Sequence, residues 1–298
     1  MADQPCAIQP HGFLLALSDD WLVEHASLNV GDFLGRDPRG LIGSPASSLL
    51  SVDAIHALRN RLALLRGPDA VERLFRCRLI GDDLHFDVAV HRSGGSTLVE
   101  AEPCTGQSYG DITGAVRGMI ERLDHDDSLE ALLETGARQL RAMTGFDRIV
   151  IARFGDNKGE VVAECARGGI GTMLGEQLPP ARHRRAALEL VADSDAAPVA
   201  MVPRSAASGQ PLDLSLAVLR APSPQRIEAL RARGAKAAMS IALNVGGRAW
   251  GLIDCHHHFA RIPGFERRAM ADLFAQMFAM RVRISELERQ SARQPLGV

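Results

Sequence analysis

Hydrophobic and polar positions divide the chain into two runs of elements. In the first, 13–17 is a continuous apolar run, 18–20 supplies turn residues and 21–27 alternates, which predicts a β-hairpin. Short helical patterns follow at 29–34, 45–50 and 52–65. Positions 71–79, 84–91 and 96–102 then alternate as three strands, separated by the turn formers Gly81-Asp-Asp83 and Ser93-Gly-Gly95. The second run opens with amphipathic helices at 111–123 and 128–143. Ile112, Val116, Met119, Ile120 and Leu123 share a face of the first, and Leu129, Leu132, Leu133, Leu140 and Met143 a face of the second. Asp127, with Glu130 three residues on, is the expected cap of the second helix. Strands are predicted at 146–154 and 159–166.

The stretch 216–259 carries the densest punctuation. Arg220-Ala-Pro-Ser-Pro224 interrupts regular structure, because the residue before each proline is driven out of the helical region. A short helix at 225–233 places Ile227 and Leu230 on one face and is closed by Gly234. Positions 238–245 and 248–255 read as two strands joined by Gly246-Gly247, the second running into His256-His257-His258. A helix beside a sheet hairpin, with polar groups at both mouths, is how a small-molecule pocket is made. The final helix, 265–290, repeats Met270, Leu273, Met277, Met280, Ile284 and Leu287 at intervals of three and four. Its first half is expected to pack on the domain. After Arg281 it is expected to continue as a dimer coil, with Met277, Met280, Ile284 and Leu287 forming the dimer helix seam.

Composition narrows the choice. The 298 residues, 46% hydrophobic and 23% charged, suffice for two ordinary soluble domains. A net charge of −2 gives no basis for a nucleic-acid or anionic-membrane partner. No stretch approaches the roughly 18 apolar residues of a membrane span, and the first residues lack the pattern of a signal peptide, so a cytoplasmic location is expected. The five cysteines show no CxxC spacing, so neither a disulfide framework nor a zinc site is indicated. At most two of His256, His257 and His258 could share an ion on a strand, with no acidic partner fixed nearby, and no metal is expected. Cys255 reads as a small packing residue, and Arg182-His-Arg-Arg185 as a solvated face rather than an anion site. No nucleophile elbow, phosphate loop or paired-carboxylate signature occurs, so no catalytic residue and no enzyme are expected.

Ile8-Gln-Pro-His-Gly12 before an apolar strand, with Ser27-Leu-Asn-Val30 after the second strand, resembles the PAS domain that opens bacterial phytochromes. Leu219-Arg-Ala-Pro-Ser-Pro224, Met239-Ser-Ile-Ala-Leu243, Gly246-Gly-Arg-Ala-Trp-Gly-Leu252 and Cys255-His-His257 resemble their GAF domain. The resemblance implies an α+β chain: a PAS domain with N-terminal tail at 1–107, a GAF domain with a long C-terminal signalling and dimerisation helix at 108–290, and a tail at 291–298. Each domain would be a central antiparallel sheet with flanking helices. A figure-of-eight knot would form where the tail threads a GAF lasso at 202–212, a loop rich in turn formers. The resemblance also implies a biliverdin pocket. In it His256 matches the histidine that hydrogen-bonds the bilin ring carbonyl, Arg220 an arginine beside the pocket, and Ser223 and Ser240 pocket serines.

Other pocket positions depart from that pattern. Arg226 stands where a second histidine is found, Gln225 at the plant-type cysteine position, and Ala152 and Ala229 where tyrosines line the pocket. The family's organising aspartate has no counterpart in the shortened stretch 175–185, and Glu189 stands where an arginine pairs a propionate. Cys6 lies three residues before Gln9, displaced from the bilin-linking cysteine further upstream, and reads as a small residue in a threaded segment rather than a covalent attachment site. A charge-assisted hydrogen bond is worth about 1.5–3 kcal/mol. Two or three such losses weaken binding by about 10³-fold or more.

The function expected is therefore that of a sensory input module of a bacteriophytochrome-like signalling protein with a degenerate pocket, holding no cofactor or binding biliverdin weakly and without a covalent link. Two alternatives stay open. One is a functional biliverdin-binding red/far-red photoreceptor fragment; the other is a GAF sensor of a different small anionic ligand, drawn by Arg220 and Arg226. A homodimer through the GAF helices is the expected partner. No PHY domain, kinase or other effector pattern follows 290, so the chain is expected to be either a piece of a longer protein or an input-and-dimer unit whose downstream partner is unknown.

Overall fold

The computed structural model describes residues 6–81, 84–104, 110–123, 128–155, 158–178, 187–205, 211–245 and 248–293. Along the chain run β1 (Ala7–Ile8), β2 (Phe13–Leu17), β3 (Val23–Ser27), α1 (Val30–Leu34), α2 (Pro38–Leu41), α3 (Val52–Leu62), β4 (Val71–Cys77), β5 (Phe86–Ser93) and β6 (Ser96–Pro103). Then come α4 (Ile112–Leu123), α5 (Leu129–Thr144), β7 (Arg148–Phe154), β8 (Gly159–Ala166), β9 (Gln177–Leu178), β10 (Leu188–Val191) and β11 (Val199–Val202). The chain closes with α6 (Pro224–Ala232), β12 (Ala237–Val245), β13 (Arg248–His257) and α7 (Phe265–Arg293). Packing gathers them into two compact units, one of Met1–Gln107 with Leu190–Gly234, the other of Ser108–Glu189 with Ala235–Val298.

The first unit is built on an antiparallel sheet of order β1-β11-β3-β2-β6-β5-β4. The continuous apolar run in β2 has a physical cause, since the strand is buried on both faces. Phe13, Leu15 and Leu17 join a cluster with Leu58, Phe86 and Val99. Leu14 and Ala16 join another with Ile8, Leu98, Met201 and Leu219. The β5–β6 turn has Gly94 and Gly95 at φ +58° and +91° between the paired Ser93 and Ser96, a conformation that β-carbons oppose.

Local chemistry moved several expected boundaries. Trp21 is in the left-handed region at φ +62° and belongs to the turn, because Ser18 binds Leu22 through both backbone and hydroxyl; the strand starts at Val23. The pattern at 45–50 is a single 3-10 turn, Ala46–Ser48, and α3 stops at Leu62. Helix α2 was not expected. It is a four-residue turn with Pro38 first and Asp37 accepting from the Gly40 amide. Expected turns at 82–83 and 246–247, and the cluster 182–185, lie outside the described residues.

In the second unit α4, α5 and α7 pack together against a sheet of order β10-β12-β13-β7-β8-β9. The cap of α5 is Ser128 rather than Asp127, its hydroxyl accepting from the Ala131 amide. Gly136 of α5 admits the Phe278 ring, which a β-carbon there would meet at 2.5 Å. The face of α7 that is buried is Met270, Ala271, Phe274, Ala275, Phe278, Ala279 and Val282. Of the expected repeat, Met270 belongs to this face and Leu273 and Met277 are half-buried, while alanines and phenylalanines supply most of the buried stripe. Met280, Ile284 and Leu287 are 59%, 42% and 44% exposed.

Candidate functional site

In the first unit, the N-terminal segment and the approach to α6 are tied together. Ile8 bridges Arg220, the Gln9 amide donates to Leu219 O at 2.7 Å, and the Ala221 amide donates to Ala7 O at 2.9 Å. The buried Gln9 side chain clamps the region. Its Nε2 donates to Leu190 O at 2.8 Å and Arg220 O at 3.2 Å, and its Oε1 accepts from the Ala192 amide at 2.8 Å. Glu100, on β6, accepts from the Leu219 amide at 2.7 Å. Ser223 caps α6, accepting from the Arg226 amide at 3.2 Å. Gln225 is exposed, while Arg220 and Arg226 are half-buried. Beside α6 lies a cleft of about 280 Å³ lined by Pro10, Ser194, Pro222, Ile227 and Arg231 among others.

Cys6 lies on this unit's second apolar cluster, with its carbonyl accepting from the Met201 amide at 3.0 Å. Burial pushes its thiol pKa up, and a backbone hydrogen bond with Leu212 offsets this only in part.

In the second unit, hairpin register places Ser240 opposite Asp254, so both share a face with His256 two residues on. All three are buried. The Ser240 hydroxyl donates to Asp254 Oδ1 at 2.7 Å, and His256 Nε2 lies 3.0 Å from Asp254 Oδ2. His256 Nδ1 is buried and unpartnered. Asp254 is the member of this buried group that the sequence analysis did not single out, although strand alternation from His256 places it on the same face. On the adjoining strand Arg148 is paired across from His256, and its guanidinium forms a buried ion pair with Glu164 at 2.8 Å and donates to Gly171 O. Ala152, fully buried, is on the same strand face as Arg148 and Val150.

The remaining histidines have a different partner. His257 Nδ1 and His258 Nδ1 approach Asp147 Oδ2 at 2.8 and 2.9 Å, and the His258 amide donates to it at 3.1 Å. An acidic partner is thus fixed nearby, contrary to expectation. Among the described residues, however, no group of three or more ligating side chains is placed to hold a metal ion. Burial alone would raise the Asp147 carboxyl, but the His258 hydrogen bonds and the charges of His257 and Arg167 outweigh it and hold it below the usual range.

These two groups sit on a fold whose relatives are recognisable. The PAS fold family matches residues 3–104 and the GAF domain family residues 128–285. The chromophore-binding domain of an unusual bacteriophytochrome from R. palustris superposes with a TM-score of 0.82 at 31% identity, over 95% of this chain and 97% of that one. This chain belongs to the bacteriophytochrome PAS–GAF family. The chromophore-binding domain of Stigmatella aurantiaca phytochrome P1 is similar too, with a TM-score of 0.81 and 31% identity over 93% of this chain and 95% of that one. A bacteriophytochrome of Pseudomonas aeruginosa is 33% identical over 99% of this chain, and cyanobacterial phytochrome B of Nostoc sp. is 30% identical over 95% of it. This bacteriophytochrome module spans 42% and 39% of the length of those two proteins. It is a sensory module of the phytochrome type. Among its described residues no helix is long and apolar enough to cross a membrane.

Proposed function

We propose that this module is the input part of a dimeric cytoplasmic light-signalling protein, and that it binds biliverdin weakly and without a covalent bond. The observation that carries the second point is the setting of Cys6. Thioether formation needs a thiolate, and this thiol lies on an apolar cluster that raises its pKa. The orphan His256 Nδ1 favours a ligand over none, since a buried polar atom without a partner costs about 1–3 kcal/mol. Asp254 counts against an anionic ligand at that point, because a carboxylate repels one. The exposed Met280, Ile284 and Leu287 supply a dimer stripe on α7.

The test is to add biliverdin to purified protein, record the visible spectrum, and run an acid–urea gel stained with zinc. The expected result is a weak, saturable band in solution and no fluorescent protein band on the gel. A fluorescent band would overturn the non-covalent reading, and an unchanged biliverdin spectrum would overturn bilin binding.

A further inference from the structure

We infer that Asp254 fixes which ring nitrogen of His256 carries the proton, and so sets the module to recognise a ligand through an N–H or O–H donor rather than a carbonyl. The inference rests on His256 meeting the ligand, as the proposed function has it. Asp254 accepts from two groups, the Ser240 hydroxyl at one oxygen and His256 Nε2 at the other. Two donors stabilise the charged form of a carboxylate. An ionised carboxylate can only accept, so the proton of a neutral imidazole must sit on Nε2. Nδ1 is then a bare acceptor.

No group among the described residues donates to Nδ1 or accepts from it. Arg148, the cross-strand neighbour of His256, is already engaged by Glu164 and Gly171. In a bilin the complementary group is a pyrrole N–H. A ring carbonyl would face the Nδ1 lone pair, acceptor against acceptor, which would weaken the grip on biliverdin.

Two readouts test this. The first is the ¹⁵N spectrum of the histidine rings, assigned through a His256→Gln control and recorded without ligand. His256 is expected as the Nε2–H tautomer with an unprotonated Nδ1. Asp254→Asn, equal in size, offers Nε2 an amide donor and is expected to move proton density to Nδ1. An Nδ1–H tautomer in the unmodified protein, or no change in Asp254→Asn, overturns the inference. The second readout is biliverdin titration. Asp254→Asn is expected to bind about tenfold more tightly, because Nδ1–H becomes available to a carbonyl; equal or weaker binding overturns it. Asp254→Ala repeats both measurements should Asp254→Asn fail to fold, with near-UV circular dichroism as the check. If no variant binds biliverdin, the bilin reading fails by itself, and the ring spectrum alone sustains or overturns the inference.

Discussion

In the seven-stranded sheet, successive residues of β2 enter two apolar clusters, Phe13, Leu15 and Leu17 one and Leu14 and Ala16 the other. In the six-stranded sheet, Ala237, Met239, Ile241 and Leu243 form one apolar row. The alternate row leads from Ser240 across Asp254 and His256 to Arg148 and Glu164. Buried polar groups cost stability unless fully paired. Strand β2 carries none of these costs and is core on both faces, although β5 and β6 of the same sheet bury Asp87, His91, Glu100 and Glu102. The second sheet keeps a row of them, and that row ends on an unpartnered nitrogen.

The contrast is tested hardest at β2. Phe13→Ala and Leu14→Ala, on opposite faces, are expected to cost about 4 and about 3 kcal/mol in chemical denaturation. A loss below about 1 kcal/mol for Leu14→Ala would break the claim that both faces are core. In the second sheet the faces should differ: about 3 kcal/mol for Ile253→Ala on the apolar row, and about 1 kcal/mol for Ser240→Ala, which leaves Asp254 short of one donor. Equal values would erase the distinction. Gln9→Ala, which frees three carbonyls and an amide, is expected to cost about 2 kcal/mol and to expose the first strand to early proteolysis.

The smallest effect concerns acid. Burial lowers the His257 pKa more than Asp147 raises it, with the nearby cations Arg261, His258 and Arg167 adding to the lowering. The unfolded ring therefore takes up a proton at a higher pH than the folded one. Stability falls as pH drops below about 6.5, the ordinary histidine value. His257→Gln should flatten the melting-temperature profile there; an unchanged slope would assign the acid sensitivity elsewhere.

The fold was legible because its signals are local. Strand alternation, proline pairs and a cap expected one residue from Ser128 located most elements within a few residues. What escaped was decided by tertiary partners. The buried face of α7 follows Phe274 and Phe278 rather than the methionine and leucine repeat, because Gly136 opens a place for an aromatic ring. At the site, His256 and Ser240 were found through resemblance, but their link through Asp254 needs the hairpin register, which sequence alone leaves free to slip. Asp147 was passed over because its histidine partners lie over a hundred positions later.

Ala7–Ile8 pairs with Val199 and Ala200, and Ile8 bridges Arg220, all about two hundred residues further along. During synthesis β1 emerges well before β11 and the approach to α6, which follow it by about two hundred residues. Contacts of such separation slow folding, because the loop entropy is lost before the contact forms. The sheet edge at β3 is therefore left uncovered during translation, and in that interval a nascent chain is open to pairing with a neighbour on the same messenger.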